Sequence, residues 1–205
     1  MSKIICADLD GVVFDFNSAY AKLLIKVSGE DKLPRGWKNN PEILAPVWDW
    51  DTHWGYSEET QTKVWKEHIL PEGTKFWSKL SLVPGVEEAL LQLDRLAKKD
   101  CSIYFLTQRM GHNAKYQTEI ALYAAGIIYP TVILCNAGNK STIARLLKAD
   151  IFIDDKLSTV EAVATDAYVP KVYLLDALYN RTDRHINNYT VVTTLREMLE
   201  LEGLW

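Results

Sequence analysis

Residues 3–12 read Lys3-Ile4-Ile5-Cys6-Ala7-Asp8-Leu9-Asp10-Gly11-Val12. A short apolar run that ends abruptly in two carboxylates and a glycine is the pattern of a buried strand opening into a loop. Phe16, Tyr20, Leu23, Leu24 and Val27 then recur at helical spacing, and Ser28-Gly29 closes that helix. The regular pattern resumes after Pro84-Gly85. Val86, Ala89, Leu90, Leu93, Leu96 and Ala97 mark an amphipathic helix, and 101–106 is an apolar strand. A helix over 113–125 ended by Gly126, a strand at 131–135, a helix from 140 and a strand at 151–153 follow. A helix near 158–165, a strand at 171–175 and a final helix near 194–202 complete the series. Strands apolar on both faces that alternate with helices predict a parallel sheet with right-handed crossovers. The expected fold class is α/β, a three-layer Rossmann-like core.

The stretch from 29 to 79 breaks this rhythm. Pro34, Gly36, Pro41, Pro46, Gly55, Pro71 and Gly73 punctuate it, and its one clear helix runs over 57–69, with Ser57 as cap and Glu58 and Glu59 in the first turn. Six of the seven tryptophans (Trp37, Trp48, Trp50, Trp54, Trp65 and Trp77) fall between 37 and 77. The expected organisation is a core of residues 1–28 and 80–205 with a small aromatic-rich helical insertion, 29–79, after the first strand and helix.

Composition excludes several classes. The chain has 205 residues, 48% apolar and 24% charged, enough to bury the core of one ordinary domain. Net charge is −4 from 23 basic and 27 acidic residues with no long basic run, which argues against a grip on duplex nucleic acid. Cys6, Cys101 and Cys135 lie far apart in apolar runs, as small strand residues of a reducing compartment do. Asp8 and Asp10 interrupt any signal-peptide run, and no stretch approaches the ~18 apolar residues of a membrane span. A soluble cytoplasmic protein without membrane contact is expected. Nothing in the sequence addresses oligomeric state.

Ligands of open parallel sheets bind beyond the carboxyl ends of the strands. The first strand delivers Asp8 and Asp10 there; the second delivers Thr107, Gln108 and Arg109. The third delivers Asn136, with Lys140 opening the next helix, and the fourth delivers Asp154 and Asp155. Four carboxylates on one edge repel one another unless a cation joins them. All-oxygen ligation suits a hard ion, Mg²⁺, which in turn favours substrate phosphate. Lys140 and Thr107 suit phosphoryl oxygens, one carboxylate suits a nucleophile, and its neighbour two residues on suits an acid and base. Each residue alone has a plainer reading: Asp10-Gly11 as a turn, Asp154-Asp155 as a helix cap, Lys140 as a surface lysine, Thr107 as a strand-end hydroxyl. It is their coincidence on successive strand ends that is informative.

In that order and on those elements, Asp8-Leu9-Asp10-Gly11-Val12, Thr107, Lys140 and Asp154-Asp155 resemble the haloacid dehalogenase-like phosphohydrolase superfamily. The resemblance implies that Asp8 is a nucleophile forming an aspartyl-phosphate and that Asp10 protonates the leaving alcohol, then activates water. It implies Mg²⁺ held by Asp8, the backbone carbonyl of Asp10 and Asp154, with Asp155 bound through water or orienting the other ligands. Thr107, Gln108 and Lys140 would bind phosphate. An acid at position 10 separates the phosphatases from the dehalogenase and ion-pumping branches.

The insertion would form a cap over this edge. Asp15-Phe16 and Leu82-Val83-Pro84-Gly85 resemble the 5′-nucleotidase, deoxyribonucleotidase-type branch, which implies a nucleoside monophosphate, especially a deoxynucleotide, as substrate. Trp48, Trp50 and Trp65 are either the core of the cap or an aromatic slot for a base. That branch usually has a small residue and proline after Thr107, where this chain has Gln108-Arg109-Met110-Gly111, and it often has a basic residue before Lys140, where this chain has Asn136-Ala137-Gly138-Asn139. Arg109 either clamps a second anionic group or pairs with a surface acid. The alternatives are a phosphatase of a sugar phosphate or a nucleic-acid 3′-phosphate, or a non-catalytic binding protein. His53, His68, His112 and His185 show no ligand spacing.

Overall fold

A computed structural model describes residues 2–165, 168–182, 184 and 188–205; His185 lies outside the described residues. Six strands, β1 (Lys3–Ala7), β2 (Cys101–Thr107), β3 (Val132–Leu134), β4 (Ile151–Asp154), β5 (Lys171–Leu175) and β6 (Thr190–Val192), form one sheet in the order β3-β2-β1-β4-β5-β6. Every pairing is parallel, with Ile5 level with Ile103 on one side and Ile151 on the other.

Side-chain alternation along these strands makes the layers. Ile5, Ala7, Ile103, Phe105, Ile151, Ile153, Tyr173 and Leu175 pack into one apolar cluster. Cys6, Leu106, Phe152, Val172 and Leu174 pack into a second. Successive residues of a strand point to opposite faces, so both faces of the sheet are apolar and both need helices. The first cluster takes α1 (Phe16–Ser28), the insertion, α4 (Glu87–Ala97), α5 (Ala114–Ala124) and α8 (Leu195–Leu201), and the second takes α6 (Lys140–Leu147) and α7 (Leu157–Ala164). The expected three-layer α/β architecture is the observed one.

Local chemistry sets the helix ends. Ser18 N–H donates to Asp15 Oδ1 at 3.0 Å to start α1, and Gly29, in the left-handed region, ends it. Between α1 and α4 the chain leaves the sheet and forms α2 (Trp50–His53) and α3 (Glu58–Val64), with Ser57 capping α3 as expected. The helix expected over 57–69 is not uniform. Beyond Val64 it widens into a π-helical turn, Trp65–Ile69, closed by Leu70 N–H to Trp65 C=O at 2.9 Å. Apolar spacing over so short a span does not separate the two helix types, and such turns gather at functional sites. The insertion keeps no separate core: Leu44, Trp50, Val64, Ile69 and Trp77 belong to the first sheet-face cluster. Strand β6 was not expected, since two of its three residues are exposed and it pairs with β5 alone. All three cysteines are free, and Cys6 is buried. No helix among the described residues is long and apolar enough to cross a membrane.

Candidate active site

In chain order the sheet grows outward from β1 in one direction and from β4 in the other, so its order reverses between them. That switch point is where open α/β sheets bind ligands. Asp8 follows β1, and its N–H donates to Ile153 C=O at 2.9 Å, which draws the ends of β1 and β4 together. Asp154 ends β4 and Thr107 ends β2, while Lys140 opens α6.

Asp8, Asp154 and Lys140 meet. Lys140 Nζ donates to Asp8 Oδ1 at 2.6 Å and to Asp154 Oδ2 at 2.7 Å. Asp8, Thr107, Lys140, Asp154 and Asp155 are all buried, Asp154 completely. Burial pushes the Asp8 carboxyl up to about 7; Lys140 opposes the rise, and Asp154 and Asp10 add to it. Asp155 is held well above the carboxylate range by burial and by Asp154 and Asp8. Burial lowers Lys140, but Asp8 and Asp154 more than offset it and hold the ammonium above its ordinary value. Thr107 Oγ1 is buried with no hydrogen-bond partner, which is unusual for a buried hydroxyl and leaves it able to donate to a ligand. Gln108 beside it is exposed.

Asp8, Asp154 and Asp155 each offer an oxygen, all within 4.8 Å of one another. This all-carboxylate set fits a hard divalent cation such as Mg²⁺, whose charge would answer the mutual repulsion of the acids. The turn between Asp8 and α1 packs closely against this cluster. Gly11 has φ +89°, and a Cβ there would stand 2.2 Å from Asp155 Oδ2. Only glycine fits both the backbone and the space.

Asp10 pairs with Arg109. Arg109 Nη2 donates to its Oδ1 at 2.8 Å and Nε to its Oδ2 at 3.1 Å. Of the two readings of Arg109, the acid pair is the one observed, though buried rather than on the surface. Arg109 is not among the residues that line the adjoining cleft.

That cleft has a volume of about 240 Å³. Asp10, Gly11 and Asp155 form its floor, and Phe16, Tyr20, Trp48, Trp50, Trp65 and Tyr179 supply its aromatic walls. The tryptophans divide. Trp50 is buried, donates through Nε1 to Asn17 Oδ1 at 3.1 Å and meets Tyr20 edge-on. Trp65 is half-buried, between Tyr20, Phe16 and Trp77. Trp48 is 51% exposed, edge-on to Tyr179, with Lys156 Nζ 4.4 Å from its ring centroid. Trp37 and Trp77 are core residues outside the cleft.

Two site residues escaped the sequence reading. Tyr179 OH donates to Asp155 Oδ2, and Asn180 Nδ2 donates at 2.8 Å to both Asp155 C=O and Leu175 C=O. They follow the carboxyl end of β5, so extending the strand-end rule by one strand would have reached them.

No family model matches the chain, and no curated protein does either. Solved structures do. The haloacid dehalogenase-like hydrolase SP0104 of Streptococcus pneumoniae superposes with a TM-score of 0.60 at 13% identity, covering 98% of each chain. YfnB of Bacillus subtilis, described as a HAD-hydrolase and bound to magnesium, gives 0.59 at 13% identity over 98% of this chain and 99% of its own. A HAD-superfamily hydrolase of subfamily IA from Geobacter sulfurreducens gives 0.56 at 16% identity over 98% and 96%. The chain has the haloacid dehalogenase fold. Within that fold the buried Asp8, Asp154 and Asp155 lie at the sheet's switch point, under an insertion placed between α1 and α4.

Proposed function

We propose that the protein is a Mg²⁺-dependent phosphomonoesterase that hydrolyses nucleoside monophosphates, deoxynucleotides foremost, through an aspartyl-phosphate on Asp8. The observation that supports it most is the aromatic cleft beside Asp10 and Asp155, with no lysine or arginine among the described residues of its lining and Lys156 reaching only the ring of Trp48. A substrate whose phosphoryl group meets Lys140 and Thr107 would place its leaving group there. Aromatic walls favour a flat ring, since base–aromatic stacking is worth about 1–3 kcal/mol per base. The carboxylates Asp49 and Asp51, also in the lining, disfavour a leaving group with a second anion. A neutral nucleoside satisfies both conditions; phosphoglycolate satisfies neither.

Asp8 Oδ1 is held by Lys140, which leaves Oδ2 to attack phosphorus. Lys140 and the free Thr107 hydroxyl donate to the phosphoryl oxygens as charge develops on them, with Gln108 at the same strand end. Asp10 gives a proton to the departing alkoxide, then takes one from the water that opens the Asp8–phosphate bond. Asp8, the Asp10 carbonyl and Asp154, with Asp155 beside them, would hold Mg²⁺, which would supply the charge neutralisation that lets a dianion approach buried carboxylates.

Phosphate release from a panel of nucleotides, sugar phosphates, phosphoglycolate and a 3′-phosphorylated oligonucleotide, with and without Mg²⁺, tests this reading. Mg²⁺-dependent turnover led by deoxynucleoside monophosphates, and abolished by Asp8→Asn, is expected. Turnover of sugar phosphates or 3′ ends alone would reassign the substrate. Inertness toward every ester, with no stable complex with beryllium fluoride, would leave a binding protein.

A further inference from the structure

Arg109 has an environment that an ordinary ion pair does not require. Its side chain is completely buried, whereas the Asp10 side chain it holds is 24% exposed and lines the cleft. Nε and Nη2 take both carboxylate oxygens in a fork, and Nη1 donates to Thr118 Oγ1 at 3.0 Å. Thr118 is itself fixed by donating to Ala114 C=O at 2.7 Å. The guanidinium also contacts two rings, 4.7 Å from the Phe14 centroid and 5.0 Å from that of Trp77. A planar fork with three nitrogens hydrogen-bonded and two rings packed against it has little freedom to turn.

The clamp joins two parts of the chain. Trp77, where the insertion returns to the core, donates through Nε1 to Met110 C=O at 2.8 Å, and its backbone N–H donates to Gln117 Oε1 at 3.2 Å. His112 N–H donates to Leu70 C=O at 3.2 Å, next to Gly111, where an added Cβ would stand 3.0 Å from Leu70 Cα. The loop after Thr107 is thus pinned to the insertion at Leu70 and Trp77, and it presents Arg109 to Asp10.

We propose that Arg109 is the positioning residue of Asp10, and that the insertion, through Trp77, holds it in place. The proposal rests on the phosphomonoesterase reading above. A carboxylate on a loop rotates freely, but one gripped at both oxygens keeps its plane, so the proton moves along a fixed line. In the first half-reaction the Asp10 proton goes to the leaving oxygen as that oxygen's bond to phosphorus breaks and the Asp8 Oδ–phosphorus bond forms. In the second, Asp10 takes a proton from water as the water oxygen bonds to phosphorus and the Asp8 Oδ–phosphorus bond breaks, returning the enzyme to its starting state.

A leaving-group comparison tests this. An alkyl phosphate, such as a nucleoside 5′-monophosphate, needs its departing oxygen protonated; 4-nitrophenyl phosphate does not. Because kcat/KM reports only steps up to the first irreversible one, it isolates the first half-reaction. Arg109→Lys keeps the charge and loses the fork. Its kcat/KM for the alkyl ester should fall about 100-fold, the low end for a general acid, with the loss in kcat rather than KM. The fall for 4-nitrophenyl phosphate should be at least ten times smaller. Should Arg109→Lys fail to fold, Thr118→Val removes one support of the fork and should show the same inequality at smaller amplitude. Equal losses on the two esters, or full alkyl-ester activity in a folded variant, would overturn the proposal while leaving the phosphatase reading intact. A wild-type protein inert toward both esters would overturn both.

Discussion

Lys140 Nζ lies 2.6 Å from Asp8 Oδ1, with the two side chains only 6% and 8% exposed. The same ammonium holds Asp154 at 2.7 Å, so one cation answers two buried acids, with Asp155 adjacent. Removing one partner of such an arrangement leaves uncompensated buried charge, typically at a cost of about 3–5 kcal/mol. Lys140→Met should therefore melt well below the wild type without divalent ions and lose the proposed phosphatase activity. A cation that binds only the folded state raises the melting temperature. The Mg²⁺-induced rise should be larger in Lys140→Met than in the wild type, because the ion then has the carboxylates to itself. Thermal melts with EDTA and with Mg²⁺ check this, and equal rises in both proteins would contradict it.

The cleft tryptophans separate by burial. Trp50→Ala removes a buried indole and its bond to Asn17, so a stability loss of about 3–5 kcal/mol is expected whatever the substrate. Trp48 is half-exposed, and its truncation should leave the melting temperature almost unchanged. If its ring stacks a base, Trp48→Ala should raise KM for nucleotides by roughly 5- to 150-fold, the equivalent of about 1–3 kcal/mol. KM for 4-nitrophenyl phosphate should move less. A parallel rise on both substrates would assign Trp48 to the general shape of the cleft.

Gly11 offers a sharper probe of the turn. Its φ of +89° strains any L side chain, and a Cβ there meets the Asp155 carboxylate at 2.2 Å. Gly11→Ala should displace Asp155 and weaken Mg²⁺ binding, read as a smaller Mg²⁺-induced rise in melting temperature. Gly29→Ala is the control: φ there is also positive, at +75°, but nothing lies within 4 Å of the added Cβ. It should cost stability without touching the Mg²⁺ response.

The order of apolar runs predicts the sheet, because strands covered on both faces leave apolar runs at 4–7, 103–106 and 151–153. The strand-end rule points to Asp8, Thr107, Lys140 and Asp154, and the structure joins three of them, Asp8 and Asp154 through Lys140. What escaped depends on long-range contact. Arg109 and Asp10 are 99 residues apart, and nothing local chooses between a ligand clamp and an internal pair. The burial of Trp37, Trp50 and Trp77 against the exposure of Trp48 follows from how the insertion meets α1, which periodicity does not encode. Strand β6 has too few apolar residues facing inward to register as a strand.

Asp176 carries a pH signature outside the site. It follows β5, and its N–H donates to Val192 C=O at 2.7 Å, tying β5 to β6. Arg181 Nη2 donates to its Oδ2 at 2.6 Å, and Arg184 donates to its Oδ1. The hydrogen bond from Arg181, against the opposing effect of burial and with help from Arg184, holds the carboxyl below the ordinary range. A folded-state pKa below the unfolded one gives stability that is complete above the unfolded value, about 4 for aspartate, and is lost as pH falls through the folded value. Asp176→Asn has no proton to gain in that window. The variant should melt below the wild type at pH 7, and the two melting temperatures should converge as pH falls below about 4. Melting curves of both proteins between pH 7 and pH 3 check this. A gap that stays constant over that range would mean the two arginines contribute packing at this corner rather than charge.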